Sequence, residues 1–161
     1  MDIYNHFAYG ESIARKLKDI AHSDDHPRFF TAFGLEDLYN FTDKISSVKG
    51  IILIAVDGCE SDSTDNGHET LTDLLTYSFI VAGSTVNDRP QTIDTTVTKC
   101  RTIAKQIRNH LFLQPTLRQV IDRNTQITGI GPIGDNFYGV ILTFAIEENE
   151  QFFLDQTFWE E

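Results

Sequence analysis

The chain has 161 residues and a formal net charge of −11, with 40% hydrophobic and 11% aromatic residues. That length fits one domain able to bury a core without staples, and the composition excludes a disordered chain. The acidic balance argues against non-specific nucleic-acid binding, which needs clustered Lys and Arg, and the longest apolar run, residues 51–56, is far short of the roughly 20 residues that span a bilayer.

The N-terminal stretch MDIYNHFAYGESIARKLKDI lacks the basic region and apolar block of a signal peptide. Two cysteines, Cys59 and Cys100, give no disulfide framework, so folding in a reducing cytoplasm is expected.

Residues 3–21 carry Ile3, Phe7, Ala14, Leu17 and Ala21 at helical spacing, with Ile13 and Ile20 beside them. This predicts a helix, which Gly10 weakens. The turn cluster HSDDHP (22–27) ends it. Phe29, Phe30 and Phe33 then crowd together, as a loop pinned to the core or as an exposed contact patch. Residues 35–41 suit either a short helix or an extended segment.

Residues 50–56 (GIILIAV) are short, continuous and rich in β-branched side chains, as expected of a strand covered on both faces. Residues 57–73 hold six acids and no Lys or Arg, and are expected to form a long polar loop. A second strand is predicted over 74–83, where Tyr77, Phe79 and Val81 alternate with Thr76, Ser78, Ile80 and Ala82.

The helix over 93–111 has the clearest pattern. Ile93, Val97, Cys100, Ile103, Ala104, Ile107 and Leu111 form one apolar stripe. Thr92 or Asp94 is expected to cap it, and Pro115 to stop it. A further helical turn is expected within 116–123. Strands follow at 126–130 and 137–147, joined by the turn GPIGDN.

The fold predicted is α+β: a mixed, mainly antiparallel sheet of about four strands, one long helix packed across it and an N-terminal helix. Residues 1–148 make the single domain. Residues 149–161 form an acidic, aromatic C-terminal arm. Five large apolar residues, Phe152, Phe153, Leu154, Phe158 and Trp159, lie in the tail among acids, so it is expected to dock on its own domain or a neighbouring subunit.

The acidic stretch 57–73 carries the densest set of oxygen ligands. Placing Gly67 at the sixth position of an EF-hand loop puts Asp62, Thr64, Asn66 and Asp73 at positions one, three, five and twelve. The match is poor: the last ligand is Asp rather than Glu, and the flanks read as strands. Asp65 lies near His68 and Glu69, a second hint of a cation site. A small divalent-metal or ligand-binding module using Asp62, Asp65 and Asp73 is therefore the alternative to a solvated loop.

His22 and His26 straddle a turn, and no zinc spacing is present. His6 and His110 read as surface or satisfied structural residues. Cys100 reads as core, and Cys59, set in the acidic stretch, lacks the context of a nucleophile. The glycines of GIGPIG do not precede a helix, so no phosphate cradle is implied. No nucleophile, base and orienting group can be assembled, so no enzyme and no cofactor are expected. Arg101, Lys105 and Arg108 form a basic stripe suited to an acidic neighbour.

The order of elements, above all TIAKQIRNHL (102–111) followed by ITGIGPIGDNFYGVILTFAIEE (127–148), resembles the tail-terminator and tail-completion proteins of tailed bacteriophages. The resemblance implies a homo-oligomeric ring, usually a hexamer, at the head–tail joint. It would cap the tail tube, meet the tail-tube and neck or connector proteins, and let DNA pass through its lumen without specific binding. It implies a virion protein assembled in the host cytoplasm, with no membrane role and no catalytic residues. Arg101, Lys105, Arg108, Phe152, Phe153, Phe158 and Trp159 would be its interface residues.

Overall fold

A computed structural model describes residues 4–65, 67, 70–151 and 153–160. The chain is α+β, as expected, but its sheet has five strands rather than about four. The elements are α1 (His6–Lys16), β1 (Phe29–Ala32), a 3-10 turn (Leu35–Asn40), α2 (Thr42–Ile45), β2 (Ile51–Asp65), β3 (Thr70–Ser84), α3 (Gln91–Leu113), β4 (Gln126–Ile133), β5 (Phe137–Gln151) and a closing 3-10 turn (Gln156–Phe158). The strand order is β1-β2-β3-β5-β4, with β1 parallel to β2 and every other pair antiparallel.

The additional strand is β1, built from the Phe29–Phe30 cluster. Phe29 packs on one face of the sheet and Phe30 on the other, as alternation requires, while Phe33 lies beyond the strand and is exposed. The sheet thus has two cores. On one face α1 and α3 cover Leu53, Ala55, Phe79, Val81, Val140, Leu142 and Phe144. On the other, α2 and its flanks cover Ile52, Ile54, Val56, Ile80 and Ala82. The apolar run 51–56 is accordingly buried on both faces.

α1 is shorter than the 3–21 pattern, with Ile3 outside the described residues, and Asn5 Oδ1 accepts from the Ala8 N–H to cap it. Its buried face is His6, Gly10, Ile13 and Ala14, whereas Phe7 is 39% exposed. The reason is closeness to the sheet. A Cβ on Gly10 would sit 2.9 Å from Phe29 and Phe79 ring carbons and 3.3 Å from the Ala55 Cβ. Gly10 is therefore a packing residue, not a flaw in the helix.

Of the predicted stripe, α3 buries Cys100, Ile103, Ala104, Ile107 and Leu111, while Ile93 and Val97 near its start are half-buried. No side chain caps its start. Thr92 instead donates to the Arg89 carbonyl at 2.7 Å and accepts from the Val86 N–H at 3.1 Å, so its hydroxyl holds the entry turn. Residues 115–120 form hydrogen-bonded turns rather than a helix and lead to a bridge between Ile121 and Ile146. The β4–β5 hairpin is tied to the end of β3 by reciprocal bonds: Asn136 Nδ2 donates to the Thr85 carbonyl, and Thr85 Oγ1 to the Asn136 carbonyl.

Candidate functional site

The stretch expected to be a loop, residues 57–73, is largely two strands. β2 bulges between Val56 and Glu60 and then continues to Asp65, paired with β3 from Leu71 to Thr76. β5 extends beside it, so that Thr70–Gln151 is the last pair and residues 149–151 belong to the sheet, not to a separate tail. Alternating polar residues can still be a strand when a neighbour satisfies the backbone, and here β3 has one on each side. The result is a three-stranded extension beyond both cores, about 20 Å long at ~3.3 Å per residue.

This extension carries charge of one sign. No Lys or Arg lies between Lys49 and Arg89, and none follows Arg123. Its acids include Glu60, Asp62, Asp65, Asp73, Glu147, Glu148 and Glu150. Asp73 stands directly opposite Glu148, two like charges on one face.

Positive charge gathers elsewhere. Arg101, Lys105 and Arg108 recur at i, i+4 and i+7 on α3, outside its buried stripe, with Arg101 and Lys105 exposed. The ion pairs Arg15–Glu11, Arg15–Asp24, His22–Glu11 and Lys99–Asp19 leave the three basic residues without an acidic partner among the described residues. Arg108 donates from Nε and Nη2 to the amide oxygen of Asn109.

The candidate metal residues do not converge. Asp62 is three residues from Asp65 on one strand and therefore points to the opposite face. Asp65 accepts from the Gly67 N–H, and Asp73 from the Ser63 hydroxyl. No group of three or more potential ligands occurs among the described residues. Asn66, His68 and Glu69 lie outside them.

A hollow at the start of α1, about 280 Å³ in volume, is lined by Tyr4, His6, Asp57, Tyr77 and Glu147. Its histidine is fully engaged. His6 Nε2 donates to the Ser78 carbonyl at 2.8 Å, which fixes the tautomer, and Nδ1 accepts from the Tyr4 hydroxyl at 2.7 Å. Burial pushes the imidazole pKa down to about 4 and the Tyr4 hydroxyl well above its ordinary 10.0. With both nitrogens committed, His6 is a structural link rather than a free base. His110 accepts from Tyr9 at the surface. Cys100 is buried, its thiol pushed up to about 12, and Cys59 is exposed at the β2 bulge.

The described residues after β5 leave their large apolar side chains largely exposed. Phe153, Leu154, Phe158 and Trp159 are 74%, 65%, 83% and 62% exposed. Phe152 lies outside the described residues. Sequence spacing singled out the basic stripe and the tail. It missed the strand pairing that turns scattered acids into one surface; the only signal for it was the Thr-rich alternation of residues 70–76. No helix among the described residues is long and apolar enough to cross a membrane. No family model matches the chain, and no curated protein matches it.

Proposed function

We propose that this chain is a structural component of the head–tail joint of a tailed bacteriophage, a tail terminator or neck adaptor that closes into a ring, in keeping with the resemblance of its element order to that family. The observation that carries the reading is the division of charge over one small domain. An acidic sheet extension lies on one part of the fold and on another a basic stripe, Arg101, Lys105 and Arg108, with no acidic partner among the described residues.

Two different patches that complement each other make a heterologous, head-to-tail contact, and such contacts form a ring when the rotation between copies closes. A hexamer is the expected size. Acids left facing the lumen would repel DNA phosphate and let the genome slide past. In this reading the partners are further copies of the chain, the tail-tube protein and the neck or connector proteins, within the virion after assembly in the host cytoplasm. The chain carries out no catalysis.

The test is functional. Added to tail-tube protein polymerising from the same source, the purified chain should stop elongation and be found at one end of the tubes by electron microscopy. Tubes that lengthen unchecked, with no protein at either end, contradict the proposal.

A further inference from the structure

We infer that the C-terminal segment of one copy, residues 153–160, docks in the groove between α1 and α3 of the next copy; this rests on the ring reading above. The groove is open, about 420 Å³ in volume, and lined by Ile13, Leu17, Ile107 and Leu113 with Lys16 and His110 at its sides. Leu113 is 65% exposed on a helix whose inner stripe is fully packed. On α3 the groove residues Gln106, His110 and Leu113 follow i, i+4 and i+7, a stripe separate from Arg101, Lys105 and Arg108. The groove therefore leaves the basic stripe free for the acidic extension.

Three observations name the occupant. First, the segment presents four large apolar side chains that stay 62% to 83% exposed in their own copy, and burying each aromatic removes ~150–250 Å² from water. Second, the charges complement each other. The segment's charged residues, Asp155 and Glu160, are acids, as are Glu150 before it and Glu161 after it, while Lys16 at the groove has no acidic partner among the described residues. Third, reach favours a second copy. The tail leaves the sheet at the tip of the extension, where Gln151 pairs with Thr70. Ser78, which receives the start of α1 through His6, is eight residues along β3, or about 26 Å. Eight residues of tail from Gln151 to Trp159 span at most roughly 26–29 Å. Trp159 thus barely reaches the start of its own α1, and Ile13, Lys16 and Leu17 lie two to three turns further along that helix.

Trp159 is the single tryptophan of the chain, so its emission reports the segment alone. In the full-length protein, its emission should be red-shifted and iodide-quenchable when dilute. It should shift to the blue over the same concentration range in which light scattering shows growth. Leu113→Asp, at an exposed position, should abolish the shift and weaken association ~10-fold or more. Phe158→Ala with Trp159→Ala should weaken association alike. An equimolar mixture of that double variant with Leu113→Asp should give one-to-one dimers, because one intact tail then meets one intact groove. Emission that stays red while assemblies form overturns this inference and leaves the ring standing. Blue emission independent of concentration means docking within one copy and also overturns it. A chain that stays monomeric throughout overturns both.

Discussion

The imidazole of His6 donates from Nε2 to the main-chain carbonyl of Ser78 at 2.8 Å, pinning the first turn of α1 to the middle of β3. His6 is 4% exposed and its ring lies tilted against Phe79, centroids 4.3 Å apart, so burial favours the neutral imidazole. Folding thus lowers the His6 pKa from its ordinary 6.5 to about 4. The unfolded chain takes up the proton first as pH falls. The contribution is complete above pH ~6.5, declines through the window down to pH ~4, and amounts to about 3 kcal/mol at ~1.36 kcal/mol per unit. Between pH 6.5 and 4.5 the native chain should lose about 2–3 kcal/mol more unfolding free energy than His6→Gln, measured by urea denaturation. Parallel losses in the two proteins would show that His6 does not carry this dependence.

Gly10 offers a test of the α1–sheet contact. Alanine would raise helix propensity by about 1 kcal/mol, but its methyl would press on Phe29, Phe79 and Ala55, and overpacking costs about 1–3 kcal/mol. Since two of the three obstacles are aromatic rings held in the core, overpacking wins. Gly10→Ala is expected to lower stability by about 1 kcal/mol. An unchanged or raised denaturation midpoint would mean that α1 lifts from the sheet at little cost.

The Asp73–Glu148 pair makes a two-sided prediction. Like charges directly opposite on adjacent strands destabilise by a few tenths to 1 kcal/mol. Glu148→Lys replaces repulsion by attraction, so amide exchange over residues 70–75 should slow by about twofold, the factor that about 0.4 kcal/mol supplies. The same change removes acid from the proposed contact and should weaken assembly. A variant that assembles more tightly would place the acidic surface outside the interface.

Much of this architecture was legible in the sequence. The α3 stripe, the doubly buried run 51–56 and the closing hairpin follow from period and β-branching. The polar side chains of residues 57–65 and 70–73 predict a loop, yet a strand between two neighbours needs only its backbone satisfied. The four-residue β1 was hidden because its phenylalanines serve opposite faces and so lack a one-sided pattern. Gly10 counted against a helix by propensity, though tertiary closeness requires it. The basic stripe and aromatic tail were readable as surfaces, since neither fits a core period, but their physical separation from the acids depends on strand register.

The central claim is assembly by self-complementary charge, and mass against concentration at two ionic strengths tests it most directly. At low salt, light scattering on the eluting full-length chain should give a single closed species whose mass is a whole multiple of the protomer, hexameric in the expected case. Salt near 1 M, where the screening length falls to ~3 Å, should shift it toward monomer, as should Arg101→Glu with Lys105→Glu at low salt. A monomer at every concentration in low salt, or an assembly indifferent to both salt and charge reversal, would contradict the account.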